Sequence, residues 1–481
     1  MSMDSKERIA KAIGVASDTK AFELGHNIIC EVPEIFNRFF KGRKAVVVAG
    51  AVTWQVAGEQ VFMAMKSAGI DVSEYIIKTD GFRAEWRFVD AIDKLLDGSP
   101  EECERIENQE DYIESEPAEA MRPQSEDYPI AVAVGVGTIN DICKLCSYHH
   151  NQSYISVVTA ASVDGFSSFG ASIIYNGAKT TFDCPAPVAI LADLDIIADA
   201  PVSITAGGYA DLAAKVIAGG EWIIADAIGV EPIIPEAWDL LQDIIDELLA
   251  NPEEIPKRDP KAISDLVEGL MISGFAMQAA RSSRPASGSE HLFSHYLDMV
   301  GHRYKGRLQS HGFQVAIGTL AMCAIFDELL KCDLSALDVD ACVSAWPTLE
   351  EEQARASRLL ADFPSICEDA VTMKYTDADA VRAELGAIKA GWPELKEKIR
   401  AKVYTFGRMR SMLKAAGAPY EPSMIGLTRE QVYDMLPYVQ IMRGRFNLLD
   451  FARQAGLYDR LVEAVFRNGG VWDIAHDLET D

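Results

Sequence analysis

The chain has 481 residues, too many for one typical domain and suited to two or three. Hydrophobic residues make up 49% and charged residues 25%, the balance of a soluble globular protein that buries large cores. Its formal net charge is −28 and its pI near 4.7, a field that repels phosphate backbones and anionic lipid, so neither nucleic acid nor a membrane surface is an expected partner. Any bound anion must therefore meet local positive charge from a metal, a few Lys or Arg, or helix N-termini. Met1 to Val15 is polar, and no 18-residue apolar run appears, so neither a signal peptide nor membrane insertion is expected. Nine cysteines, sparse and odd in number, fit free thiols in a reducing, cytoplasmic compartment.

In chain order, β-branched runs predict strands at Ala45–Val48, Tyr75–Ile77, Ile130–Val134, Tyr154–Val158 and Val188–Leu191. Helical periodicity lies between several of them, at Gln55–Ser67 and Ala84–Leu96. Alternation of this kind predicts an α/β N-terminal domain with a parallel sheet, Rossmann-like, over residues 1–200. Ser99–Asp127 is acidic, contains proline and lacks periodicity, and reads as an irregular or flexible surface excursion. After Ala200-Pro201 the texture changes. Long amphipathic segments follow at Tyr209–Ile224, Glu236–Leu249, Lys261–Arg281, Phe313–Leu330, Ala378–Ile388 and Arg443–Phe466, and residues 201–481 read as a mostly helical, all-α domain.

Three local patterns carry chemistry. Gly135-Val136-Gly137-Thr138-Ile139-Asn140-Asp141 joins a strand to a helix, a form that suits a pyrophosphate, although Asn140 stands where a Rossmann fingerprint has its third glycine. A tight βα turn without a ligand would also use these glycines. Thr159 to Ser168 (T-A-A-S-V-D-G-F-S-S) places small and hydroxyl residues at the C-terminal end of a strand, where α/β proteins bind ligands, or else forms a polar loop turning at Asp164-Gly165. Four of the eight histidines, His291, His295, His302 and His311, fall close together. His291 and His295 share one helix face, and two imidazoles with a carboxylate such as Asp211 would make a three-ligand metal site. Capping by Asp211 and packing roles for the histidines are the alternative. The Cys143-x-x-Cys146 pair lacks a second pair and reads as helix packing.

These patterns occur in one order with further matching stretches: L-A-D-L-D-I-I-A-D-A-P (Leu191–Pro201), T-A-G-G-Y-A-D-L-A-A-K (Thr205–Lys215), S-R-P-A-S-G-S-E-H-L-F-S-H (Ser283–His295) and H-G-F-Q-V-A-I-G-T-L (His311–Leu320). R-G-R-F-N-L-L-D-F-A (Arg443–Ala452) is similar to a final helix. The chain thereby resembles the iron-containing alcohol dehydrogenase and dehydroquinate synthase-like superfamily, most closely its glycerol-1-phosphate dehydrogenases.

The resemblance implies one divalent metal (Zn²⁺, Ni²⁺ or Fe²⁺) on Asp211, His291 and His311, and NAD or NADP as coenzyme. It places Gly135, Gly137, Thr138 and Asp141 at the pyrophosphate, and Thr159 and Ser168 along the coenzyme. It places Asp164, Lys179 and His295 at the substrate, with Asp164 beside the nicotinamide and His295 in proton transfer. The implied reaction is reversible reduction of dihydroxyacetone phosphate to sn-glycerol 1-phosphate, a small phosphorylated ketone and polyol, in a homo-oligomer. Val46 to Trp54, at what reads as the first strand, has no carboxylate to hold an adenosine ribose, which leaves NADP use open. An unphosphorylated polyol such as glycerol, a cyclase chemistry, and a catalytically weak sensor of nucleotide or sugar phosphate are the rival readings.

Overall fold

The structure is a computed structural model that describes residues 4–79, 81–117, 121–361 and 370–477. Strands run over Ala21–Gly25 (β1), Ala45–Gly50 (β2), Val72–Ile77 (β3), Ile130–Gly135 (β4), Ile155–Val158 (β5), Ala171–Tyr175 (β6), Ala178–Phe182 (β7) and Ala189–Asp193 (β8). Six of them form one sheet in the order β1-β8-β5-β4-β2-β3, every pairing parallel. Continuous β-branched runs suit strands covered on both faces, and every residue of β2 and β4 is buried. Each fully buried valine there contributes about 1.5–3 kcal/mol.

The expected strands are all present, and three others within residues 1–200 were not anticipated. β1 (A-F-E-L-G) is an edge strand paired only with β8, so its short, mixed pattern carries little burial signal. Ala45–Gly50 is therefore the second strand of the chain. β6 and β7 form an antiparallel hairpin turning on Asn176 and Gly177, both at positive φ (49° and 74°). The Asn-Gly pair was the available hairpin signal.

The chain forms two compact units, Met1–Leu212 with Asp239–Ser282, and Ala213–Trp238 with Ser283–Asp481. In the first, β3 and β4 leave β2 on opposite sides, so the strand order reverses there, the position at which open α/β sheets take ligands. The acidic excursion is more ordered than its composition suggests. Pro100–Glu107 is a helix, and its buried Glu107 accepts the Tyr75 hydroxyl and the backbone N–H groups of Lys78 (2.7 Å) and Thr79 (3.2 Å). Further along, Ser115 Oγ accepts from Trp86 Nε1 (3.0 Å) and donates to Asp90 (2.7 Å). Residues 118–120 of this excursion lie outside the described residues.

The second unit is helical. His311–Leu329 is long and apolar enough to cross a membrane by length and composition, but 83% of it is buried inside the protein, as in a core helix. Arg443–Phe466 is not one helix. Residues 443–447 form a loop, Asn447 caps the helix Leu448–Gln454 through the N–H groups of Leu449 (2.9 Å) and Asp450 (3.2 Å), and Gly456 at φ 64° separates it from Tyr458–Phe466.

The loop from Thr159 to Gly170 is held from beneath by Lys144, a residue that sequence reasoning missed. Its buried Nζ donates to the carbonyls of Gly165 (3.0 Å), Ser168 (2.9 Å) and Gly170 (2.9 Å). Lys144→Ala strands three carbonyls and is expected to destabilise the protein by about 3 kcal/mol, read from urea unfolding. A change within about 0.5 kcal/mol would contradict this account of the loop.

Candidate metal and substrate site

Asp211 stands on the helix Val202–Ala227, whose first turn opens on the Pro201 carbonyl, acceptor for Ile204 and Thr205 N–H. It is fully buried, and its Oδ2 accepts the Asp164 backbone N–H at 3.0 Å. This helix approaches the Thr159–Ser168 loop because residue 208 is glycine: a Cβ there would overlap the Ala161 carbonyl oxygen.

His291 and His311 come from Ser289–Met299 and His311–Leu329, and the close approach of these helices depends on Gly318, where a Cβ would overlap the Glu290 carbonyl. The two imidazole rings lie 5.3 Å apart, centroid to centroid. Asp211, His291 and His311 each offer a ligand atom, and the three atoms lie within 4.8 Å of one another.

This donor set fits a divalent transition metal with positions left for substrate. The surrounding hydrogen bonds orient both rings. Glu290 Oε1 lies 2.7 Å from His291 Nδ1, and a carboxylate accepts, so Nδ1 carries the proton and Nε2 is left as ligand. Ser294 Oγ donates to Gln314 Oε1 at 2.6 Å, so at 2.8 Å it accepts from His311 Nδ1. Gln314 is itself fixed to Asp298 at 3.3 Å. Neither Glu290 nor Ser294 was singled out from the sequence, although both lie within the S-E-H-L-F-S-H stretch, next to His291 and one position before His295.

Behind the first of these rings lies a second buried carboxylate. Glu221 accepts Ser289 Oγ (2.5 Å) and the N–H groups of Ser289 (3.1 Å) and Leu448 (3.0 Å). Burial and the Glu290 charge push its carboxyl up to about 7. Arg284 donates to the Glu221 backbone carbonyl at 2.9 Å and pairs with Glu231 at 3.2 Å.

The glycine loop is built as expected, β4 running into the helix Gly137–His149. No side chain caps that helix at Val136, which leaves first-turn N–H groups of Gly137 and Thr138 to an anion or solvent. Asn140, in the place of a third glycine, is buried and works as a pin, donating to Gly165 O (3.2 Å) and accepting from Tyr154 (2.9 Å). Asp141 is turned to the hairpin, accepting Ser172 N–H at 3.3 Å with Lys144 Nζ at 3.5 Å. Lys179 lies on β7 and acts on Asp141 electrostatically.

Thr159 is buried and donates its N–H to Gly135 O at 3.1 Å; Ser168 is buried with its carbonyl on Lys144. Asp164 Oδ2 accepts Ser273 Oγ at 2.9 Å. His295 Nε2 accepts from Arg443 Nη2 at 3.0 Å, because a guanidinium only donates. His302 lies apart from the cluster, its Nε2 2.7 Å from the Ile425 carbonyl. Cys143 and Cys146 are buried on their helix and their thiols are pushed up by burial.

A parallel sheet with a glycine turn, followed by helices bearing an Asp-His-His cluster, defines the iron-containing alcohol dehydrogenase class. The family model described as iron-containing alcohol dehydrogenase matches residues 80–201. A glycerol-1-phosphate dehydrogenase [NAD(P)+] of Halalkalibacterium halodurans is 32% identical over 305 residues, 63% of this chain and 70% of that protein. One from Bacillus licheniformis is 37% identical over 208 residues, 43% of this chain and only 52% of that protein. A solved glycerol dehydrogenase of Schizosaccharomyces pombe shares the fold at 16% identity and a TM-score of 0.53, covering 93% of this chain and 91% of that one. The chain belongs to the glycerol-1-phosphate dehydrogenase family, within the iron-containing alcohol dehydrogenase superfamily.

Ser294→Ala frees the His311 ring and is expected to weaken metal binding about 10- to 100-fold in a chelator competition titration. Unchanged affinity would show that Ser294 does not orient the ligand. For Glu221, the folded chain keeps a proton that the unfolded chain releases near the ordinary carboxylate value of 4.5. Stability from this group is thus fully present below 4.5 and declines as pH rises through about 7. The Tm of metal-free Glu221→Gln, relative to wild type, therefore rises between about pH 5 and about pH 8; a flat difference contradicts the shift.

Proposed function

We propose that the protein catalyses the reversible, NAD(P)H-dependent reduction of dihydroxyacetone phosphate to sn-glycerol 1-phosphate, with a divalent metal on Asp211, His291 and His311. The observation that carries this reading is the buried Asp-His-His cluster, its rings held by Glu290 and Ser294, in a chain of this family. When bound, the cation supplies a Lewis acid for the carbonyl oxygen, and the reduced nicotinamide supplies the hydride.

The chain's own residues bind the reactants and orient them. Gly135 and Gly137 let the backbone come close to a pyrophosphate, and the uncapped N–H groups at Gly137 and Thr138 would receive it. Asp141, Thr159 and Ser168 complete this coenzyme wall, Asp141 through its contacts to the hairpin. Asp164 would stand beside nicotinamide and substrate, fixed by Ser273 and joined through its N–H to Asp211. The alcohol oxygen needs one proton, which would come from solvent; His295, neutral because its Nε2 accepts from Arg443, would orient that oxygen as a hydrogen-bond donor through Nδ1–H. Lys179 brings positive charge on β7 to the substrate side. A cytoplasmic location is part of this reading, supported by eight described cysteines that are all free thiols.

Asp211→Asn and His291→Ala are each expected to lose bound metal and to lower the rate of NADH or NADPH oxidation with dihydroxyacetone phosphate by at least about 1,000-fold, the scale of losing a principal electrostatic contribution. Either variant keeping full metal content and full activity would overturn the reading.

A further inference from the structure

In a chain with a net charge of −28, a half-buried cation that lacks an acidic partner is out of place. Three arginines gather beside the helix Ser289–Met299, and two have their charge answered. Arg284 pairs with Glu231 at 3.2 Å. Arg445 donates to Ser287 O at 3.0 Å and lies in the field of Glu231, Glu221 and Glu290. Arg443 differs: among the described residues no carboxylate lies within ion-pair distance, and its hydrogen bond is to the neutral ring nitrogen of His295. Burial, with the like charge of Arg445, lowers it to about 10, so it remains a guanidinium at neutral pH with its charge uncompensated.

Its position says what would compensate it. His295 lies one helical turn, about 6 Å along the axis, from the metal ligand His291, so the Arg443 guanidinium, 3.0 Å from His295 Nε2, meets the helix face that carries that ligand. One of its five N–H groups is given to His295, and the planar fork that remains matches two oxygens of a phosphoryl group.

We infer that Arg443 is the seat of the substrate's phosphate and the residue by which the site selects a phosphorylated three-carbon ketone over its unphosphorylated counterpart. The inference rests on the reaction proposed above and deepens it. It assigns the main anion contact to the loop at residues 443–447 of the second unit. Through the bond to His295 Nε2, the same guanidinium fixes the ring that faces the substrate, with the ring proton on Nδ1.

The test compares metal-loaded wild type with Arg443→Gln and Arg443→Lys. Values of kcat/KM are measured for dihydroxyacetone phosphate and for dihydroxyacetone, and the Tm is followed with added glycerol 1-phosphate in the absence of coenzyme. In Arg443→Gln the preference for the phosphorylated ketone should fall by about 100-fold, mostly through KM, and the Tm rise with glycerol 1-phosphate should vanish. Arg443→Lys, a point charge without the fork, should lose about 10-fold and regain part of the Tm rise; it also serves if the glutamine variant does not fold. An unchanged preference, or an equal loss on both ketones, overturns the role of Arg443 while leaving the proposed reaction standing. A wild type that neither turns over dihydroxyacetone phosphate nor gains Tm from glycerol 1-phosphate overturns both.

Discussion

Gly318 carries no side chain, and because of that the helix beginning at His311 lies against the backbone of Glu290. The rest of the site depends on this contact. It brings two imidazoles from separate helices to within 5.3 Å of each other, and Asp211 completes the set from a third. A larger residue at 318 would overlap the Glu290 carbonyl and force the two helices that carry the rings to shift. The hydrogen bonds from Glu290 and Ser294 then settle which nitrogen of each ring stays available, so that the ligand set is oriented by the protein itself.

Charge imposes the second constraint. An acidic protein that works on an anion has to concentrate cations where the anion sits. Lys144, buried beneath the Thr159–Gly170 loop, gives its three hydrogen bonds to carbonyls and serves the loop's shape. Arg284 and Arg445 answer the buried acids behind His291. Arg443 alone among these three arginines is left facing a neutral partner, which is why the loop at 443–447 gains a role in substrate selection.

Much of this was legible in the sequence, for reasons that differ by residue. Strands β2 and β4 are buried on both faces, so their unbroken valine and alanine runs announce them; β1 has one neighbour and a mixed pattern, and does not. The Asn176-Gly177 turn was readable by its chemistry and was overlooked. Asp211, His291 and His311 stood out because histidine is scarce and because the stretches around them resemble one family. Asn140 looked like a defect in a phosphate loop, whereas it ties that helix to Gly165 and Tyr154. Lys144 and Arg443 were invisible for one physical reason. Their partners lie 21 to 26 and 148 residues away, and no local period encodes such contacts. Arg443 was further hidden because the apolar spacing after it suggested a helix, where the chain makes a loop that ends at the Asn447 cap.

The central claim is that this cluster holds the metal on which reduction of a phosphorylated ketone depends. It is tested most directly by following NADH and NADPH oxidation with dihydroxyacetone phosphate, using protein stripped of metal and then reloaded in turn with Zn²⁺, Ni²⁺ and Fe²⁺. The account predicts negligible oxidation by the stripped protein and its recovery on addition of about one equivalent of at least one of these ions. Oxidation that is unaffected by stripping, or that no ion restores, would contradict it.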